Sequence, residues 1–323
     1  MMSLFDSQDV LVQDISPAYL NVLLQFHRED AFSGLFYLKQ SEGEVLLFLA
    51  HGEVKLGYTL DEGHWKAMRS TERESLLQRI GGDLRVLRFH PSALRLVRLY
   101  VENGQTACAS KQNSPINDLL SWLGEAFRQH GHGIACIRGQ RWRGLILTYP
   151  DGDSPEEILT WSESGSQNGP LALNLLKNLQ EPFDLAYFPL LLESETWKEY
   201  LLYTTMQKFL QLLFQRFRVL AGQTMTTHVS EQMNHLCSRY GWHFIFQEGI
   251  AFHEHFFASV REAQQVYQKI LAELVNFMGI VIGESFVRQT LQEMYKRFSA
   301  EEKQVLIPVL ETQSTHYPST ELA

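Results

Sequence analysis

The sequence predicts an α+β chain: two tandem α-β-β-β-α-β units followed by a mainly α-helical C-terminal domain. Three observations predict it. Two segments about one hundred residues apart resemble each other, short strand-like runs bounded by glycines recur inside both, and near Trp197 the pattern changes to long helical periodicity. In the paired segments Ser16-Pro17 corresponds to Ser114-Pro115, Gly34 to Gly133, Gly52-Glu53 to Gly152-Asp153 and Leu84 to Phe183, at offsets of 98 to 100.

Each copy opens on an amphipathic helix. Ser16 or Ser114 is placed as an N-cap, Pro follows where a missing N–H costs nothing, and Leu20, Leu23 and Leu24, or Leu119, Leu120, Leu123 and Phe127, supply the apolar spacing. Three short runs follow, at 34–39, 44–50 and 53–59, then at 133–138, 144–149 and 157–161, with Gly43, Gly52, Gly139 and Gly152 at the turns. A short helix and a closing strand end each copy at Pro91 or Pro189. A sheet of this kind is expected to bury one face against helices.

From Tyr200 to Leu220 apolar residues surround the helix almost completely, and Gly222 is placed to end it. Helices over 226–240, 263–278 and 282–298 are expected next, with a strand at 242–247 between the first two. The glycines at 279 and 283 separate the last pair or allow close packing within one longer helix. Ser299 and Glu302 form a capping box for a final short helix. The expected organisation is a first unit over 1–110, a second, divergent one over 111–193, a helical domain over 194–311 and a flexible tail over 312–323.

The 323 residues include 28 Lys+Arg and 37 Asp+Glu, for a net charge of −9, and 45% are hydrophobic. The acidic balance disfavours DNA, which needs a basic face. No run has the length of a membrane-spanning helix and the start has no basic-then-apolar order, so a cytoplasmic protein is expected. Cys108, Cys136 and Cys237 are far apart and read as reduced, buried thiols.

Two clusters carry candidate chemistry. Between Lys66 and Arg98 eight bases (Lys66, Arg69, Arg73, Arg79, Arg85, Arg88, Arg95 and Arg98) face three acids (Glu72, Glu74 and Asp83), a local +5 in a chain of −9. Such a patch suits an acidic protein surface, a nucleotide or an anionic lipid. Five of the twelve histidines lie between His228 and His255. His228 and His235 are seven apart on a helix, while His253 and His255 share a face of an extended segment, so these four are the candidate metal ligands. Against a metal stand the missing HExxH and the neighbouring Phe252, Phe256 and Phe257, which suit a packed segment.

Catalytic patterns are missing. Cys237 and His235 are two apart on a helix and do not face each other, and GESFV at Gly283 lacks the second glycine of a nucleophile elbow. No phosphate-binding loop occurs. The acidic pairs Asp151/Asp153 and Glu156/Glu157 fall in a turn, where solvated charge is ordinary. No cofactor is expected.

The first copy, with FSGLFYLKQ, GEVLLFLAHGEVKLGY, a helix and a closing strand, resembles the PATAN-type domain of bacterial signalling proteins, and the second keeps HGIACIRG and GLILTYPDGD. The resemblance covers about residues 10–190, rests on Gly34, Gly52, Glu53 and apolar alternation, and departs from the family pattern at Lys55 and Gly57. It implies protein interaction in a regulatory or motility system. The function expected is a non-enzymatic adaptor with an acidic protein partner, able to oligomerise through the helical domain. The alternative is a ligand- or metal-sensing regulator with its site in that domain.

Overall fold

A computed structural model describes residues 11–40, 43–79, 81–104, 106–148, 157–162, 165–179 and 181–314. The chain divides into two compact units, 1–191 and 192–323. Both copies of the repeat lie in the first.

The first copy runs β1 (Leu11–Ile15), α1 (Pro17–Glu29), β2 (Gly34–Gln40), β3 (Gly43–Ala50), β4 (Glu53–Asp61), β5 (His64–Ala67), α2 (Ser70–Leu77) and β6 (Gly82–Arg88). After α3 (Pro91–Asn103), the second repeats it with β7 (Ala109–Ser114), α4 (Leu119–His130), β8 (Gly133–Arg138), β9 (Arg143–Thr148), β10 (Glu157–Ser162), β11 (Gly165–Asn168), α5 (Gly169–Asn178) and β12 (Phe183–Pro189). The sheets are ordered β1-β6-β2-β3-β4-β5 and β7-β12-β8-β9-β10-β11, every pairing antiparallel. Each strand of one copy therefore takes the place of its counterpart in the other. The mixed α+β class stands, and each copy gains an opening strand and a fourth meander strand beyond the expected pattern. Those additions, β1, β5, β7 and β11, include both edges of both sheets, where a strand pairs on one side only and needs little apolar alternation.

The repeated glycines have a steric cause. A Cβ at Gly34 would lie 2.0 Å from the Leu87 carbonyl oxygen, and one at Gly133 would lie 2.4 Å from the Tyr187 ring and 2.6 Å from the Phe188 carbonyl oxygen. Both glycines open the central strand against its neighbour, β6 or β12. The N-cap expected at Ser114 is different: Ser16 Oγ accepts the Tyr19 N–H, whereas Pro115 leads a short 3-10 turn before α4.

Both sheets bury two faces, where one was expected. On the outer face of the first, Phe36, Leu38, Leu47 and Leu84 pack with Leu20 of α1 and Leu76 of α2. On that of the second, Ile137, Ile146 and Leu185 pack with Leu119 and Leu123 of α4 and Leu176 of α5. The alternate residues, among them Leu35, Tyr37, Ile134 and Cys136, are buried too. There α3 touches both sheets: Glu102 accepts the Tyr58 hydroxyl hydrogen bond at 2.5 Å, and the Tyr100 ring meets Phe188 edge-on at 5.4 Å. Burial on both faces explains why GLFYL and VLLFLA are continuous apolar runs.

The second unit contains α6 (Glu195–Tyr240), β13 (Phe244–Gln247), β14 (Ile250–His253), α7 (Val260–Ile282), α8 (Glu284–Tyr295) and α9 (Ala300–Ser314). Gly222 breaks α6 at φ 79°, ψ 173°, a conformation open essentially to glycine alone. Phe209, Leu213 and Phe214 of α6 form the core with Ile270, Leu271 and Leu274 of α7. Gly283, at φ 88°, separates α7 from α8. The capping box is present, since Ser299 Oγ accepts the Glu302 N–H and the Glu302 carboxylate accepts the Ser299 N–H. Among the described residues no helix is long and apolar enough to cross a membrane.

Candidate functional site

The basic segment does not form one surface. Its residues spread over β5, α2, β6 and α3, and burial of α3 between the sheets removes Arg95 (1% exposed) and Arg98 (5%) from solvent. Arg98 Nε donates to Glu102 Oε1 at 3.1 Å, so the carboxylate serves both this cation and Tyr58. Burial, then the Glu102 charge, push the Tyr58 phenol far above its ordinary range. Lys66 pairs with Asp61, and Arg88 with Asp30 at 2.6 Å. Arg73 donates to the Lys55 carbonyl and Arg79 to Ser75, while Arg69 is exposed before α2 and Arg85 is half-buried in β6. Closeness in sequence groups these eight charges, and burial of α3 takes Arg95 and Arg98 out of the group.

The histidines separate as well. His228 and His235 are exposed on α6, whereas His253 and His255 are buried. His253 Nε2 shares a 2.6 Å hydrogen bond with the Tyr267 hydroxyl, and its ring stacks on Phe244 at 4.2 Å. Among the described residues no three His, Cys, Asp or Glu side chains converge as a metal site would require. The four expected ligands are thus two surface residues and two core residues. Asp151, Asp153 and Glu156 lie outside the described residues.

Of the three thiols, Cys136 and Cys237 are buried as expected, and burial pushes each up to about 12. Cys108 is exposed, a correction to the expectation, and its Sγ donates to the Tyr187 carbonyl at 3.4 Å. Cys237 is buried while His235 points outward, so the two do not cooperate.

The second unit presents two features of its own. A cleft of about 820 Å³ lies among the starts of α6 and α7 and the body of α9. Trp197, Leu201, Val305 and Pro308 give it apolar walls, and Lys198, 3.6 Å from Glu195, stands with Arg261 and Glu301 among its charged ones. Pro308 lacks an N–H, which denies the Gln304 carbonyl its helical donor inside the cleft wall.

The second feature is the β13–β14 hairpin. Glu248 and Gly249 both have positive φ, 49° and 84°, the backbone of a tight type I′ turn. Phe244, Phe246, Ala251 and His253 point inward and are buried; Ile245 (42% exposed), Ile250 (50%) and Phe252 (36%) point outward, with Ile245 directly opposite Phe252. The Asn234 amide accepts from the Phe246 N–H and donates to its carbonyl, which fixes β13 on α6. Arg218 donates to the Glu248 carbonyl at 2.8 Å and holds the turn beside α6, where Val219 is 76% exposed. This surface was missed because FIFQEGIAFH has no polar alternation. The Glu-Gly pair was the available turn signal.

Compared with known proteins, the chain matches no family model, no curated protein and no solved structure.

Proposed function

We propose that the chain is a non-enzymatic adaptor of a bacterial regulatory or motility system, acting in the cytoplasm, whose helical unit docks a protein partner with an acidic, partly apolar surface. The observation that carries this reading is the hairpin, apolar on both faces with only one face covered, beside the exposed Arg218. The resemblance of the two copies to PATAN-type domains supports the same reading.

The test uses the full chain as bait in an extract of its host. A partner held by the wild type is expected to be lost with Ile245→Asp/Phe252→Asp, and weakened by rising salt. Absence of any reproducible partner, together with turnover of a small molecule by the purified protein, would refute the adaptor.

The cleft among α6, α7 and α9 favours a second reading, a regulator that senses a small ligand. A ligand seated there raises the melting temperature of the wild type and not of Leu201→Trp, which fills the cleft.

A further inference from the structure

The duplication supplies an internal control for surface residues. At an offset of 99, Leu20 and Leu24 of α1 correspond to Leu119 and Leu123 of α4, and all four belong to the packed faces of their helices. On the solvent side α1 exposes Tyr19 (46%), Val22 (62%) and Phe26 (61%). The same offset leads to Asp118, Ser121 and Glu125 in the second copy. One fold is therefore built with polar groups at all three places, so the folding of the unit does not call for apolar side chains there.

We propose that this face of α1 packs against the α1 of a second copy of the chain, antiparallel about a two-fold axis. The spacing 19, 22, 26 is that of a helix–helix seam. It is also palindromic, a small residue between two aromatics. With the axis between positions 22 and 23, each Tyr19 meets the partner's Phe26 while the two Val22 side chains meet near the axis, which satisfies the self-complementarity of a two-fold interface.

Charge agrees with this direction. The first turn of α1 holds no acid, and the helix ends on Glu29. Glu29 continues the stripe of Val22 and Phe26, and in an antiparallel pair it lies beside Ser16 and Pro17 of the other copy, where the helix N-terminus favours a carboxylate. Asp30 is already held by Arg88.

Sedimentation of the full chain tests the proposal. The wild type is expected as a dimer, and the variant Tyr19→Asp/Val22→Ser/Phe26→Glu, which copies α4, as a monomer with an unchanged circular dichroism spectrum. Val22→Glu alone is expected to raise the dimer dissociation constant at least ~10-fold, about 1.4 kcal/mol. In a Cys108→Ser background, mild oxidation joins two copies of Val22→Cys at least ~10 times faster than two of Phe26→Cys, because position 26 lies away from the axis on both helices. The cysteine pair decides the matter even if the triple variant does not fold. A wild type that stays monomeric at about 100 µM, a triple variant that still dimerises, or equal oxidation rates at 22 and 26 would each overturn it.

Discussion

The two copies in the first unit share a topology strand for strand and share few side chains. What they keep is steric: Gly34 and Gly133 at the start of the central strand, and leucines on the inner stripe of the opening helix. What they do not keep lies outside, where α1 shows Tyr19, Val22 and Phe26 and the second copy shows Asp118 just before α4 and Ser121 and Glu125 on it. Packing constrains the inner positions because interiors are dense and tolerate few changes of volume. The outer positions are left to interaction, which makes their difference informative.

The sharpest way to break the comparison is at the glycines. Gly34→Ala and Gly133→Ala should each destabilise the chain by about 3 kcal/mol, because the added methyl meets a carbonyl oxygen or a ring held on a neighbouring strand. Chemical denaturation measures both. If one substitution is silent, the copies are not sterically equivalent.

A moderate effect separates the copies at positions 37 and 136. The Cys136 thiol is held up to about 12 by burial, above the 8.5 of a free thiol, and Tyr37 stands at the matching position in the first copy. The unfolded chain ionises first, so this contribution is intact below about pH 8.5 and is lost as pH rises toward 12, by about 1.4 kcal/mol per pH unit. Cys237 behaves alike in the second unit. Stability measured from pH 8 to 10 should therefore fall less steeply in Cys136→Ala than in the wild type.

The smallest effect is at His27, whose counterpart at the same offset is Ala126. Its ring lies 4.4 Å from that of Phe32, and burial followed by the Arg88 charge holds the imidazole below its ordinary range. A depressed histidine favours the fold above the unfolded value of about 6.5 and loses that contribution as pH falls. His27→Gln should flatten the stability profile between pH 7.5 and 5, as seen by urea titration. An unaltered slope would place the acid sensitivity elsewhere.

Much of the architecture was legible from residues. The 98–100 offsets, the glycines and the short apolar runs from 34 to 59 located the central strands, and Gly222, Gly283 and Ser299 marked helix ends where the backbone or a cap requires them. The edge strands were not legible: GSQN and ASKQNS carry no apolar period because they cover little. The helix α3 also escaped, since a run with Arg95 and Arg98 reads as surface until two sheets close over it. Of the candidate sites little was visible. Spacing placed His228 and His235 on one helix and His253 and His255 on one strand face, and the fold left the first pair in water and put the second in the core.

The sequence by itself determined the local conformations and the duplication, because caps, glycines and apolar periods act over a few residues. Tertiary structure alone decided which charges meet solvent, which strands have two covered faces and which helix exposes an apolar stripe. Those outcomes depend on what packs over a residue from distant parts of the chain, and burial is a property of that neighbour as much as of the residue itself.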